Sequence, residues 1–397
     1  MKACDRAPKR SGYILFIIIL AILVKFSLFV FVSIHAPQSK FMPDSHDYLK
    51  LADVLASKGV FARLEEGKLV CETFRTPGYP LFLAILNGIL KIPLSGVVFL
   101  QVLMTLLAAF VTYKTALWID EKIAFLGAAI MLFDIPVSIF SLLLLTETLF
   151  MVALSLFMLS FVIYLKNRKF GILALSAIIL AIAVYIRPIA YYLGIAIFFF
   201  ILYINRHRGL KICVSQALVF LVITYSIIGA WQFRNYALSH NAAFSSVEGL
   251  NLTAFGLVHS YARNTDPHTQ GMSPLPYYIN VSARCLLSLM TRQGNFKYFN
   301  CEILSVAGNI LAYIWMLFWL AGFVIGLMRI KNNIYMQFIS YIALYFILTS
   351  IIGAMWIVGE RFRVPIMPFI AIISAYGWLN LVSFFKQKHI HSEANLN

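Results

Sequence analysis

The chain has 397 residues, of which 61% are hydrophobic and only 12% charged, with a mean hydropathy of +0.85. No soluble fold can hide that much apolar surface from water, so the sequence describes a polytopic membrane protein. The formal charge of +16 does not point to nucleic acid. The basic residues sit in short clusters between apolar runs, as in cytoplasmic loops facing anionic headgroups, and no basic face interleaved with aromatics is present. Five cysteines lack CxxC or CxxxC spacing, so a metal site built on them is not expected. Cys285 and Cys301 fall in one outer loop, where they would pair only in an oxidising compartment and otherwise stay as thiols.

In chain order, Lys2, Arg6, Lys9 and Arg10 precede an apolar run over 13–34. That run is too long for a signal peptide and has no small-residue cleavage site, so it reads as an uncleaved first span. Further runs long enough for about 30 Å of hydrocarbon are 94–118, 123–141, 148–165, 170–186, 188–204, 212–230, 303–328, 334–356 and 365–385, giving about ten spans. The segment 79–91 is too short to cross. If it does not cross, the clusters Lys2, Arg6, Lys9 and Arg10; Lys122; Lys166, Arg168 and Lys169; Arg206, Arg208 and Lys211; Arg329 and Lys331; and Lys386 and Lys388 all share one side. If it does, the positive-inside bias is violated repeatedly. The expected architecture is therefore an all-α transmembrane helix bundle forming a single membrane domain over 1–397, both termini (1–12 and 386–397) cytoplasmic. Two long outer segments, 34–93 and 231–302, belong to that domain, and 79–91 is an interfacial or re-entrant helix. No internal repeat of the transporter kind is visible.

The first outer segment holds six of the sixteen acids: Asp44, Asp47, Asp53, Glu65, Glu66 and Glu72. Within it, Tyr48, Leu49, Leu51, Ala52, Val54, Leu55 and Ala56 form a helical apolar face that Ser57-Lys58-Gly59 ends, so a helix lies on the membrane surface. Asp44, beside Pro43 near the membrane face, is placed to act as a base on a lipid-borne substrate. Its plainer reading is an N-cap of that helix. Asp47, about one turn on, is a second ligand, a helper or a helix N-terminal charge. Glu147 interrupts a long apolar stretch and marks an outward turn; it is either used or paired, or else forms a capping pair with Thr146. Lys25 and Asp134 lie deeper, either paired with each other or lining a cavity.

Arg75, Arg187, Arg234, Arg361 and Arg363 all fall at the outer membrane edge. Guanidinium groups so placed suit a phosphate, which they grip bidentately while staying charged. The alternatives are lipid headgroups or pairing with Glu147, Glu360 or Asp44. His46 and His259 have no partners at metal spacing. Asn251-Leu252-Thr253 and Asn280-Val281-Ser282 match the glycosylation sequon, a pattern that arises often by chance.

Pro43-Asp44-Ser45 followed by Tyr48, Gly59-Val60-Phe61, and Arg75-Thr76-Pro77-Gly78-Tyr79-Pro80 together resemble the first outer loop of the GT-C membrane glycosyltransferases. Within that group they look like the bacterial relatives of protein O-mannosyltransferases and lipid A aminoarabinose transferases. Thr146-Glu147-Thr148, Ile186-Arg187-Pro188, Trp231-Gln232-Phe233-Arg234 and Glu360-Arg361-Phe362-Arg363-Val364-Pro365 continue the resemblance in order. It implies inverting transfer of a sugar from a polyprenyl-phosphate donor to a lipid, glycan or protein acceptor on the outer face of a membrane, such as a bacterial inner membrane. Asp44 would be the general base and Glu147 an assisting acid, with Asp47, Tyr48, Arg75, Tyr79, Arg187, Arg234, Arg361 and Arg363 on the substrates. No cofactor is expected: the first loop lacks a DxD motif, so the metal dependence of oligosaccharyltransferases is not implied. No large soluble domain is expected after Phe385. The competing functions are a flippase or transporter of lipid-linked sugars, which would line a transmembrane path with polar groups, and a surface-polysaccharide ligase or polymerase, which would rest on the second outer segment.

Overall fold

The computed structural model describes residues 7–247, 249, 272–294, 302–330, 333–354 and 358–394. Its long helices are α1 (Ala7–His35), α4 (Leu94–Ala116), α7 (Glu147–Asn167), α8 (Phe170–Ile186), α9 (Leu193–Asn205) and α10 (Leu210–Ser239), with α1 followed by α2 (Pro43–Lys58) and α3 (Gly78–Leu83). Between α4 and α7 lie α5 (Glu121–Leu132) and α6 (Ile135–Ser141), and after α10 come α11 (Pro274–Thr291), α12 (Glu302–Met328), α13 (Ile334–Ala354), the short α14 (Glu360–Arg363) and α15 (Met367–Ala394). Among the described residues, eight helices are long and apolar enough to cross a membrane, and α5 with α6 supplies a ninth if that bent pair is one span. Helix α8, at 17 residues, is apolar but shorter than these. Nine of the ten apolar runs thus coincide with one helix each and the run 123–141 with the bent pair α5 and α6, while the end of the 334–356 run lies outside the described residues.

The break between α5 and α6, a 55° bend, has a local cause. Pro136 has no N–H to give a helical hydrogen bond, and Asp134 caps the new helix by accepting from the Val137 N–H at 3.0 Å. Asp134 is therefore a cap, and Lys25 donates to Ser138 Oγ at 2.8 Å; no ion pair joins the two among the described residues.

The first outer segment is mostly structured. In α2, Ser45, Tyr48, Leu51 and Ala52 are buried, a helical stripe against the bundle, and Gly59 ends the helix with φ +69°. The N-cap is Met42, whose N–H donates to Ser45 Oγ at 3.0 Å, so Asp44 is left free of capping. A hairpin not foreseen from the sequence follows: β1 (Ala62–Glu65) pairs antiparallel with β2 (Lys68–Cys71). Glu66 and Gly67 between them both have positive φ, the geometry of a type I′ turn. Helix α3 continues as a π-helix over Ala84–Ile89. Gln101, about two turns into α4, accepts from Tyr79 Oη at 2.8 Å and donates to the carbonyls of Ser141 and Leu143. The chain has thus returned to the same end of the bundle when α4 begins, and the segment after Tyr79 does not traverse it.

Helix α7 runs through the centre, with most of its side chains buried. Between membrane helices, lipid is as apolar as leucine, so close association relies on small residues that let backbones meet. Gly322 and Gly326 of α12 face Gly377 of α15, where an added Cβ would overlap the Gly322 carbonyl oxygen. Gly377→Ala is therefore expected to lower the melting temperature of the detergent-solubilised protein, equivalent to about 1–3 kcal/mol of overpacking. Gly171→Ala, which meets nothing within 4 Å, should leave that midpoint nearly unchanged.

Candidate active site

Four chain segments are fastened together at one end of the bundle. Leu144 donates its N–H to the Lys40 carbonyl at 2.9 Å and accepts from Ser45 Oγ at 2.9 Å, which lays the start of α2 against the turn before α7. Thr76 Oγ1 donates to the Ile186 carbonyl at 3.0 Å. Gly78 lies so close to the end of α8 that a Cβ would be 2.7 Å from the Tyr185 carbonyl oxygen. Arg75 and Arg187, which flank these contacts in sequence, are thereby drawn toward the same point, where α14 brings Arg361.

The result is an alternating row of charges. Asp47 Oδ2 is 3.0 Å and Asp44 Oδ1 2.8 Å from Arg75 Nη2. Asp44 Oδ2 is 2.8 Å from Arg361 Nη1, whose Nε donates to Glu147. Arg187 Nη1 lies 2.9 Å from Glu147 Oε1 without the alignment of a hydrogen bond, so that contact is an ion pair only. Three carboxylates thus alternate with three guanidinium groups. Aromatic rings wall the row: Arg75 lies over Tyr48 and Phe74 at 5.2 and 5.1 Å, and Arg187 over Phe362 at 5.5 Å. Tyr79 packs edge-on against Tyr48.

Exposure falls along the three carboxylates. Glu147 is completely buried, whereas the side chains of Asp44 and Asp47 are 25% and 37% exposed. Asp44 is therefore the inner carboxylate that solvent or a substrate reaches, and Glu147 is the anchor. Partial burial pushes the Asp44 carboxyl up, but the Arg361 and Arg75 guanidinium groups beside it outweigh that and hold it below the ordinary carboxylate range. Burial pushes the Tyr48 phenol up, so it stays neutral.

Of the residues singled out from the sequence, Asp44, Asp47, Tyr48, Arg75, Tyr79, Glu147, Arg187 and Arg361 meet here. Arg234 and Arg363 do not. Arg234 Nη1 donates to the Glu72 carbonyl at 2.9 Å and Nη2 to the Phe61 carbonyl, with the guanidinium 4.7 Å over Trp231. Arg363 is fully buried, and its Nη1 donates to the Leu289 and Met290 carbonyls at 2.7 and 2.9 Å, closing the end of α11. Each is a clamp on backbone carbonyls. Cys285 lies in α11, and its proposed partner Cys301 falls outside the described residues, as do His259 and the Asn251 sequon. Among the described residues, no group of three His, Cys, Asp or Glu side chains is arranged to hold a metal ion. Sequence reasoning passed over Glu72 and Gln101. The signal for Gln101 was a lone amide in an apolar span, which is costly there unless used.

The family model described as dolichyl-phosphate-mannose-protein mannosyltransferase matches residues 75–231. No curated protein matches the chain by sequence. Among solved structures, the archaeal oligosaccharyltransferase AglB from Archaeoglobus fulgidus, in complex with an inhibitory peptide and a dolichol-phosphate, superposes with a TM-score of 0.57 at 13% identity, covering 98% of this chain and 52% of that one. The same organism's oligosaccharyltransferase in complex with Zn and sulfate gives 0.55 at 15% identity, covering 94% and 50%. ArnT from Cupriavidus metallidurans in the apo state gives 0.45 at 12% identity, covering 93% and 76%. The chain spans about half the length of the oligosaccharyltransferase structures, and the likeness is one of fold.

Two stability outcomes follow. Glu147→Ala removes the buried carboxylate that Arg187 and Arg361 share, leaving Arg187 without its counter-charge and Arg361 with Asp44 alone, and should destabilise by about 3 kcal/mol, read as a drop in melting temperature. Because the Asp44 carboxyl is depressed, its stabilising contribution is complete above the ordinary Asp value of about 3.9 and is lost only as pH falls through its lower folded value. Melting temperature should therefore show an acid-side decline that shrinks in Asp44→Asn.

Proposed function

We propose that this chain, which has the fold of the GT-C membrane glycosyltransferases, is an inverting glycosyltransferase. It moves a sugar from a polyprenyl-phosphate donor to an acceptor hydroxyl on the outer face of the membrane. The observation that carries this reading is the row Asp47, Arg75, Asp44, Arg361, Glu147, Arg187, with its reachable carboxylate between two guanidinium groups. The family model's description, a dolichyl-phosphate-mannose-dependent transferase, supports a lipid-phosphate donor, as does the dolichol-phosphate present with AglB.

The chemistry needs few groups. The acceptor oxygen attacks the anomeric carbon as its proton passes to Asp44, and the bond from that carbon to the phosphate oxygen breaks on the opposite face, which inverts the centre. The departing polyprenyl phosphate carries its charge away paired to arginine, so no general acid is required. The three carboxylates and three guanidinium groups balance without substrate. An arriving phosphate therefore competes with the carboxylates for the arginines. When it takes Arg361 or Arg75 from Asp44, the aspartate loses a cation that holds its basicity down and becomes a better base. Glu147, fully buried, keeps Arg361 and Arg187 in place throughout.

The outer-face assignment, with both termini cytoplasmic, rests on the clustering of Lys and Arg between the other helix ends; a bacterial inner membrane rests on the family resemblance alone. In this scheme the exposed Asp47 marks the acceptor side of Asp44, where a lipid, glycan or protein hydroxyl would approach, and the buried Tyr48 and Tyr79 back the site from behind. Asp44→Asn should lower transfer by about 10²- to 10⁴-fold while retaining donor binding, and Arg361→Ala should weaken donor binding. Transfer of label from a polyprenyl-phosphate sugar in membranes measures both. Normal turnover by Asp44→Asn would remove Asp44 as the base.

A further inference from the structure

Arg75 holds two aspartates, but its Nε is buried without a hydrogen-bond partner. The guanidinium is thus aimed at Asp44 and Asp47 at the expense of one of its own donors; the Tyr48 and Phe74 rings flank it, and the backbone that carries it sets where it starts. That backbone is tied at each step. Glu72 is 1% exposed, and its carboxylate accepts the N–H groups of both Phe74 and Arg75, the latter at 2.9 Å. Its other oxygen pairs with Arg63 of β1. The Glu72 carbonyl accepts from Arg234, the Thr73 carbonyl from the Ser246 N–H at 2.8 Å, and the Phe74 carbonyl from Ser245 Oγ at 2.6 Å.

We infer that Glu72 is a positioning residue for the transfer reaction, fixing the backbone at Phe74 and Arg75 so that the Arg75 guanidinium bridges Asp44 and Asp47. The inference rests on the function proposed above for what Asp44 does, though not for where Arg75 is held. A buried acid is expensive in so apolar a chain, and a plain turn needs no charge. A carboxylate gives two N–H groups acceptors and still has an oxygen for Arg63, which links the hairpin to the turn. Asp44 itself is faced by Arg75 from this turn and by Arg361 from α14, with Asp47 and Tyr48 on its own helix and Glu147 beyond Arg361. Release of the turn therefore subtracts one of two facing cations from Asp44.

The test compares full-length wild type, Glu72→Gln, Arg75→Ala and the double variant. Transfer is followed with a labelled polyprenyl-phosphate sugar across pH, and melting temperature is followed across the same range. Glu72→Gln should lower kcat by about 10- to 100-fold. It should shift the acid limb of transfer and the acid fall of melting temperature to higher pH, as Arg75→Ala does, and add almost nothing in the Arg75→Ala background. Losses that add in full, or acid limbs that stay in place, would overturn the positioning role. If wild type transfers nothing, the functional reading falls and the melting curves alone decide the role of Glu72. Should Glu72→Gln not fold, Glu72→Asp keeps the charge but shortens its reach. The same displacement is expected from it, and an unmoved acid limb counts against the proposal.

Discussion

A carboxylate sealed inside an apolar bundle is tolerable only with its counter-charges in contact, because each unpaired ion there costs several kcal/mol. Glu147 is fully buried at the start of the central helix, and the arrangement around it can be read as the consequence. Arg187 leaves the end of α8 and Arg361 the start of the last helical unit, both to meet it. Three helix ends far apart in sequence are thereby committed to one point. Arg361 has a second arm, and that arm reaches Asp44, so the need of a buried anchor also places the reactive edge.

The row is held by two different kinds of connection. Ion pairs define its axis, but uncharged hydrogen bonds bring its members within reach: Ser45 and Lys40 to Leu144, Thr76 to Ile186, Gln101 to Ser141 and Leu143. The charges alone would not specify which acid meets which arginine, since like groups differ little in attraction. Backbone carbonyls and amides carry that specificity, and Gly78 permits the close approach of two chain segments that makes it work.

The helices were legible in the sequence because membrane spans announce themselves by unbroken apolarity, and Gly59 ended its helix where expected. Asp44, Arg75, Glu147, Arg187 and Arg361 could be selected since charge is scarce and each stands at the margin of a span. Pairing with Asp44 or Glu147 stood among the alternatives, but which arginine would take it was not legible. A guanidinium bound for a carboxylate, a phosphate or a backbone carbonyl has the same sequence context, which is why Arg234 and Arg363 looked like the others although both hold carbonyls. Asp134 presented a similar ambiguity, resolved by Pro136 two residues on into a helix cap. The hairpin went unseen because Glu66-Gly67 is a weaker turn signal than Asn-Gly or Asp-Gly, and the strands are four residues each.

Helix α7 is nearly surrounded by protein, whereas α1 presents a broad apolar face outward. Bilayers differ in thickness, and spans answer by tilting at a cost of fractions of a kcal/mol per ångström of mismatch. Those adjustments fall on the peripheral helices, which touch lipid, while the helix bearing Glu147 has almost no surface on which the bilayer can pull. The charged row is in this sense mounted on a spindle insulated from its solvent, and a change of lipid composition would be felt in the rim of the protein before it reached the centre.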